Sequence, residues 1–366
     1  EFTISTMTPT ITWNDQTLAS TGEEADITAP TITFAGTDKP EVELTYSYKA
    51  QGDEEYTAGL PTACGIYDVK VNVSATDNYN AVEDTMTLTI TCTDADNNGI
   101  CDHCGMYEAP ESVDGYYQIA NAGNLMWFAQ KVNEGQTAIN AKLTADIDMK
   151  DIDWTTMSSF AGTFDGDGHT ISGLNGHRAD TANTHGFIRT LANGGVVKNL
   201  IFTEADIFNH EGNGAISAVI VYTNNGTVEN CVVKNSLIQH GNYDALGVVV
   251  GVNGGTIRNC ASISNTMKRR HEGVNNKAAC GFVWSNGTNA TIENCMVYDC
   301  TYVEALGNYA FTGINKGTIN NCYYYESSET LEAAAGTAKT ADQFASGEVA
   351  YLLNDSKTDG TQSWYQ

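Results

Sequence analysis

Four six-residue stretches of this chain are near copies of one another: GTVENC (226–231), GTIRNC (255–260), ATIENC (290–295) and GTINNC (317–322). GHTISGL (168–174) and GGVVKNL (194–200) fall into the same frame, so one position reads Leu174, Leu200, Cys231, Cys260, Cys295, Cys322 at spacings of 26, 31, 29, 35 and 27 residues. A second kind of element precedes the hexapeptides, as HGFIRTLANG (185–194), GAISAVIVYTNNG (214–226), LGVVVGVNGG (246–255), CGFVWSNGT (280–288) and YAFTGINKG (309–317). Short strands and Asn/Gly turns repeating at such a period specify a parallel β-solenoid in which each repeat is one coil. Equivalent residues of successive coils then lie about 4.8 Å apart. The Leu/Cys position becomes an inward column in which cysteine is a small apolar filler, and Asn199, Asn230, Asn259, Asn294 and Asn321 form a turn column whose amides can bond up and down the stack. Side chains in parallel register lie side by side rather than facing, which argues for packing over disulfides or reactive thiols along Cys231, Cys260, Cys295 and Cys322.

All five prolines lie in the first 110 of the 366 residues, and this shift in composition marks a boundary near 91–110. Before it, TPTITWN, ITAPTITFAG, VELTYSYKA, YDVKVNVSAT and DTMTLTITC alternate and are separated by Gly, Asp and Pro turns, the spacing of a small β-sandwich. The segment YTAGLPTACGIYDVKVNVSATDNYNAVEDTMTLTI resembles bacterial Ig-like modules, which implies a spacer or stalk. Pairing GIYDVKVNVSA with DTMTLTITC through a turn at 76–83 brings Cys64 close to Cys92. A disulfide and two separate small hydrophobes are the alternatives there.

The stretch YYQIANAGNLMWFAQKVNEGQ, followed by AKLTADIDM, FAGTFDGDGHTISGL and GFI, resembles the start of right-handed β-helices in bacterial surface proteins with GLUG-type repeats. These also occur in adhesins and in the non-catalytic regions of immunoglobulin A-cleaving metallopeptidases. The repeats here depart from the usual G-L-x-G core, reading GAIS, GVVV and GFVW. The expected fold is therefore all-β: an Ig-like β-sandwich (1–91), a Cys/Asp-rich hinge (92–110), a right-handed parallel β-helix (111–330) and a C-terminal cap or further module (331–366). An amphipathic helix over 121–133, with Leu125, Phe128 and Val132 on one face, suits a cap over the first coil. A Thr340-x-x-Gln343 capping box opens a second helical stretch containing Phe344, Val349, Leu352 and Leu353.

The hinge carries DADNNGICD (94–102). Asp94, Asp96, Asn98, the Ile100 carbonyl and Asp102 occupy positions 1, 3, 5, 7 and 9 of a calcium loop, with Gly99 at the turn and Gly105 where an EF-hand has its bidentate Glu. Zinc is the rival, because Cys101, His103 and Cys104 follow at once and Cys92 lies upstream; a single Cys-x-x-Cys is half a site. A solvated acidic turn with a local disulfide is the third reading.

The formal charge is −27, from 18 basic and 45 acidic residues, which sets long-range repulsion against nucleic acid. No long apolar run predicts membrane insertion. Asp146, Asp148, Asp165 and Asp167 cluster in turn-rich sequence, and no complete catalytic constellation is recognisable. Against the acidic background, NTMKRRHEGVNNK (265–277) places Lys268, Arg269, Arg270, His271 and Lys277 in an insertion between coils, a candidate ligand-binding loop. Loops at 176–184, 204–213 and 237–245 are its candidate companions on one face, and Tyr323–Tyr325 is either stacked core or an adhesive patch. The resulting expectation is a monomeric fragment of an extracellular bacterial surface protein, binding a host macromolecule. Immunoglobulin or a mucin-type glycoprotein is what the family resemblance implies. A polysaccharide-active β-helix enzyme and a non-binding stalk are the alternatives.

Overall fold

In a computed structural model the described residues are 6–37, 39–175, 186–208, 216–240, 245–269, 279–303, 307–325, 335–356 and 364. They divide into two compact units, Glu1–Glu108 and Ala109–Gln366. The first unit thus takes in most of the 92–110 segment that its sequence sets apart.

The first unit holds a five-stranded sheet in the order Gln16–Ala19, Val82–Thr91, Gly65–Val73, Leu44–Ala50, Thr57–Ala58, and a two-stranded ladder of Thr10–Thr12 with Thr31–Thr33. The two long central strands pair antiparallel over nine residue pairs, Gly65↔Ile90 to Val73↔Val82. Alternation puts Tyr67 and Val69 on the same face as Met86, Leu88 and Ile90 of the neighbouring strand. Trp13, Leu18, Ile27, Tyr48 and Leu60 cover that cluster.

The second unit is a parallel β-solenoid. Thr227–Glu229, Thr256–Arg258, Thr291–Glu293 and Thr318–Asn320 stack in one nine-stranded sheet, and Val232–Lys234, Ala261–Ile263, Met296–Tyr298 and Tyr323–Tyr325 in an eight-stranded one. Each hexapeptide is therefore a three-residue strand plus the corner into the next sheet. The corner residue is the asparagine: Asn199, Asn230, Asn259, Asn294 and Asn321 all have φ between 49° and 54°. Asparagine tolerates this left-handed conformation better than most side chains. Its amide also bonds along the stack, Asn230 Nδ2 to Asn199 Oδ1 at 3.0 Å, Asn259 Nδ2 to Asn230 Oδ1 at 3.1 Å and Asn321 Nδ2 to Asn294 Oδ1 at 2.8 Å. The next residue turns inward. Leu174, Leu200, Cys231, Cys260 and Cys295 are fully buried and Cys322 nearly so. All four of these cysteines are free thiols. Each contacts the carbonyl two residues back, as Cys260 Sγ does with Arg258 O at 3.1 Å. Burial pushes the Cys231 and Cys295 thiols up; it acts the same way on Cys260, where hydrogen bonds with those two neighbours prevail and lower it. The repeated cysteine occupies an inward column closed to solvent.

Three further sheets complete each coil: one through Val221–Asn224, Val250–Asn253 and Val283–Asn286, one through Leu237–His240, Thr266–Arg269 and Thr301–Val303, and one through Ala245–Gly247 and Ala279–Cys280. The second of these overturns loop readings. Thr266–Arg269 is a strand and not the start of a loop, because Met267 is fully buried in register with Ile238 and Tyr302. The same holds for Asp206–Phe208 and Leu237–His240 within 204–213 and 237–245. A second asparagine ladder runs through the interior. Asn224, Asn253 and Asn286 are fully buried, and each Nδ2 donates to the next Oδ1 at 2.8–2.9 Å, ending on Asn315.

The helix Ala122–Asn133 starts at Asn121, whose side chain accepts from Asn124 N at 2.8 Å. Its Leu125, Phe128 and Val132 are buried, and Phe128 meets the rings of Phe160 and Phe164 at 6.0 and 5.9 Å. At the other end Ala341–Ala345 carries the Thr340/Gln343 capping box, and Val349 and Leu353 of Glu348–Leu353 are buried. The Asn321 amide donates to Leu352 O at 2.8 Å, joining the outer asparagine column to this helix.

Candidate functional site

The repeat length varies from 26 to 35 residues, and register shows where the variation sits. Phe208, Gln239, Lys268 and Val303 are equivalent in one sheet, and Ser217, Leu246, Ala279 and Asn308 in the next. Between these two points the chain takes 9, 7, 11 and 5 steps in successive coils. The rest of the coil varies less: two extra residues enter between Asn286 and Thr291, between Leu191 and Val196, and between Thr163 and Thr170. The largest length variation, from 5 to 11 steps, thus sits at one edge of the solenoid, where residues 209–215, 241–244, 270–278 and 304–306 begin and end. Residues 176–185 follow Asn175, which bridges to Asp206 in the same column.

Of the candidate binding residues, Lys268 is exposed on its strand at this edge. Arg270, His271 and Lys277, the Arg269 side chain and the 176–184 loop lie outside the described residues. Tyr323, Tyr324 and Tyr325 form a strand of the eight-stranded sheet, each half-buried, with Tyr325 against Tyr298 at 5.3 Å.

The carboxylates at 146–167 are engaged in turns. Asp146 is held low by the Thr170 N–H at 2.8 Å and by His169. Burial acts to raise Asp165, but the Asp167 N–H, the Asn199 amide at 2.9 Å and Lys198 at 3.2 Å outweigh it and lower it. Asp167 pairs with Lys142 at 3.0 Å, and Asp148 accepts from Lys150 N at 2.9 Å.

In the first unit, the carboxylate oxygens of Asp94, Asp96 and Asp102 lie within 4.8 Å of one another. Loop N–H groups already occupy part of their capacity: Asp94 accepts from Asn98 N at 3.0 Å and Gly99 N at 2.8 Å, and Asp102 from Ala95 N at 2.9 Å. The Asn98 Oδ1 is turned to Ile100 N at 2.7 Å and its Nδ2 to Asp96 at 3.0 Å. Gly99 takes the left-handed turn at φ 79°.

Beside this loop the four sulfurs of Cys64, Cys92, Cys101 and Cys104 also lie within 4.8 Å of one another. Cys64 and Cys92 are 5.4 Å apart at Cα with their sulfurs within disulfide reach, and the Cys64 sulfur is also 3.4 Å from that of Cys101 and 3.2 Å from that of Cys104. Burial acts to raise the Cys101 thiol, but the Cys104 and His103 backbone N–H groups aimed at its sulfur prevail, and it is lowered to about 7. Read along the sequence, Cys101-x-x-Cys104 lacks its other half. The fold brings Cys64 and Cys92 beside it, and no local spacing connects Cys64 to Cys101, which lies 37 positions further along the chain.

No protein-family model matches this chain, and no curated protein matches it. Among solved structures an IgA1 protease is similar, at 11% sequence identity and a TM-score of 0.40. The match covers 85% of this chain and 32% of that one.

Proposed function

We propose that this chain is part of an extracellular bacterial surface protein, an adhesin-type binder rather than an enzyme, whose solenoid offers its variable edge to a host macromolecule. Immunoglobulin and mucin-type glycoprotein are the two candidate ligands. The observation that carries the reading is that the largest variation in repeat length falls at one edge. A stack held by invariant columns can exchange residues there without disturbing its core, which is how binding is grafted onto a rigid scaffold. The basic residues Lys268, Arg269, Arg270, His271 and Lys277 fall on that edge or in the segment it leads into. In a chain of charge −27 they supply the one concentrated attraction for an anionic partner. In this reading the first unit is an Ig-like spacer, the solenoid is a right-handed β-helix of GLUG-repeat type, and the terminal helices cap it.

Changing Lys268, Arg269 and Arg270 together to Ala should weaken binding to sialylated mucin or immunoglobulin about tenfold or more in low salt and flatten the salt dependence. Exposed charges act through a field that salt screens. The melting temperature should stay within the error of the wild type. A triple variant with unchanged affinity and salt slope would remove the basic segment from the account.

The loop at 94–102 is proposed as a calcium site, with Asp94, Asp96, Asn98, the Ile100 carbonyl and Asp102 as ligands. The three-carboxylate grouping supports it, and hard oxygen donors suit calcium. Chelation is expected to speed proteolysis within 92–106 several-fold while the solenoid melts unchanged. Equal cleavage with and without chelator would return the segment to a solvated turn.

A further inference from the structure

The segment 93–108 has little apolar packing to hold it. Only Gly99 and Cys101 are buried in it, and beyond the side-chain bonds of Asp94, Asp96, Asn98 and Asp102 its order rests on main-chain bonds such as Asp102 N to Thr93 O at 2.8 Å, Cys101 N to Met106 O at 2.9 Å and Glu108 N to Gly99 O at 2.8 Å. A stretch this short with no apolar core needs a cross-link. A Cys64–Cys92 disulfide does not provide one, since it ties together two strands already paired over nine residue pairs. It also leaves two more sulfurs, one of them buried, packed against the bond with nothing to do.

We propose that Cys64, Cys92, Cys101 and Cys104, all reduced, hold one zinc ion as a four-thiolate structural site. Tetrahedral zinc with Zn–S near 2.3 Å sets its sulfurs roughly 3.8 Å apart. Apart from the shorter Cys64–Cys92 contact, Cys64 lies 3.2 Å from Cys104 and 3.4 Å from Cys101 at sulfur, and none of the four sulfurs is more than 4.8 Å from another. The Cys-x-x-Cys-Gly turn is shaped for thiolates. Gly105 adopts φ 68° and donates to Cys101 O at 2.9 Å, and the backbone N–H groups of His103 and Cys104 point at the Cys101 sulfur, as donors around a metal-bound thiolate do. Soft sulfur donors select zinc over calcium, so this site and the neighbouring carboxylates do not compete for one ion. On binding, four thiols release four protons and the ion becomes Zn(SCys)4 with a net charge of −2. No electron is transferred. The ion pins 93–108 to the sheet through Cys64 before Gly65–Val73 and Cys92 after Val82–Thr91. None of this depends on what the solenoid binds.

Two measurements on the wild-type chain decide the matter. The chain is expressed with zinc in the medium and purified without chelator, then its metal content is determined and its thiols are alkylated in denaturant without reductant and counted by mass. One zinc per chain with all ten cysteines alkylated is expected. Cobalt in place of zinc should give the intense sulfur-to-metal absorption of a tetrahedral thiolate site. Cys104→Ser should lose at least nine-tenths of the bound zinc with the solenoid's melting unchanged, and D94N/D96N should keep it. Eight alkylated cysteines, ten with no zinc, or zinc that D94N/D96N abolishes and Cys104→Ser does not, would each overturn the proposal.

Discussion

Asn253→Asp should destabilise the solenoid by about 3–5 kcal/mol at neutral pH, the cost of leaving a charge buried without a partner. Asn253 is fully buried and uses both ends of its amide. Its Oδ1 accepts from Asn224 Nδ2 at 2.8 Å and Gly255 N at 3.2 Å, and its Nδ2 donates to Asn286 Oδ1 at 2.9 Å and Thr291 O at 3.3 Å. Aspartate keeps the accepting side and turns a second oxygen on two acceptors. Its folded pKa must then lie above the unfolded value of roughly 3.9. With the folded pKa raised, the native state holds the extra proton. The charge penalty is therefore absent below about pH 4, grows as pH rises through the folded pKa, and is constant above it. Urea unfolding of variant and wild type at pH 4 and pH 7.5 should give a difference between them that is larger at pH 7.5. A loss under 1 kcal/mol that is equal at both pH values would mean that the amide ladder does not bear on stability.

Phe187→Ala should cost about 3–5 kcal/mol, the range for truncating a well-packed buried aromatic. Phe187 is fully buried at the centre of an aromatic cluster spanning several coils: it stacks on Trp154 at 5.0 Å and meets Phe164 at 5.0 Å and Phe202 at 5.3 Å. Those rings belong to separate coils and their backbones are fixed by ladder bonds, so the site cannot collapse to refill the space. Phe187→Leu retains most of the apolar volume and should lose less than half as much. Thermal unfolding followed by near-UV circular dichroism, which reports the packing around Trp154, is the direct measure. A Phe187→Ala chain that melts within 2 °C of the wild type would show that the coils are not held together through this cluster.

Much of the solenoid was legible because its signal is redundant. Each of the hexapeptides encodes a strand, a left-handed corner and an inward filler, and alignment in one frame exposes the columns of Asn230 and Cys231. The interior ladder of Asn224, Asn253 and Asn286 is equally periodic but does not stand out, because asparagine beside glycine reads as an ordinary turn residue when burial is unknown. Thr266–Arg269 and Leu237–His240 read as loop for a related reason. Three- and four-residue strands with one inward side chain carry too little alternation to stand out from a loop. The sulfur cluster was only half readable. Pairing of Gly65–Val73 with Val82–Thr91 fixes Cys64 near Cys92 through a register that sequence implies, but the return of Cys101 and Cys104 to the same place depends on how 93–108 folds back.

The variable edge is the centre of the account, and hydrogen–deuterium exchange with and without a bound partner tests it most directly. With immunoglobulin in one series and mucin-type glycoprotein in another, the account predicts that at least one partner slows exchange in peptides covering 205–217, 237–247, 266–280 and 301–309. Peptides covering Thr227–Glu229, Thr256–Arg258 and Thr291–Glu293 in the nine-stranded sheet should exchange as before. Binding that protects that sheet or residues 6–108 instead, or no binding to either partner, would contradict it.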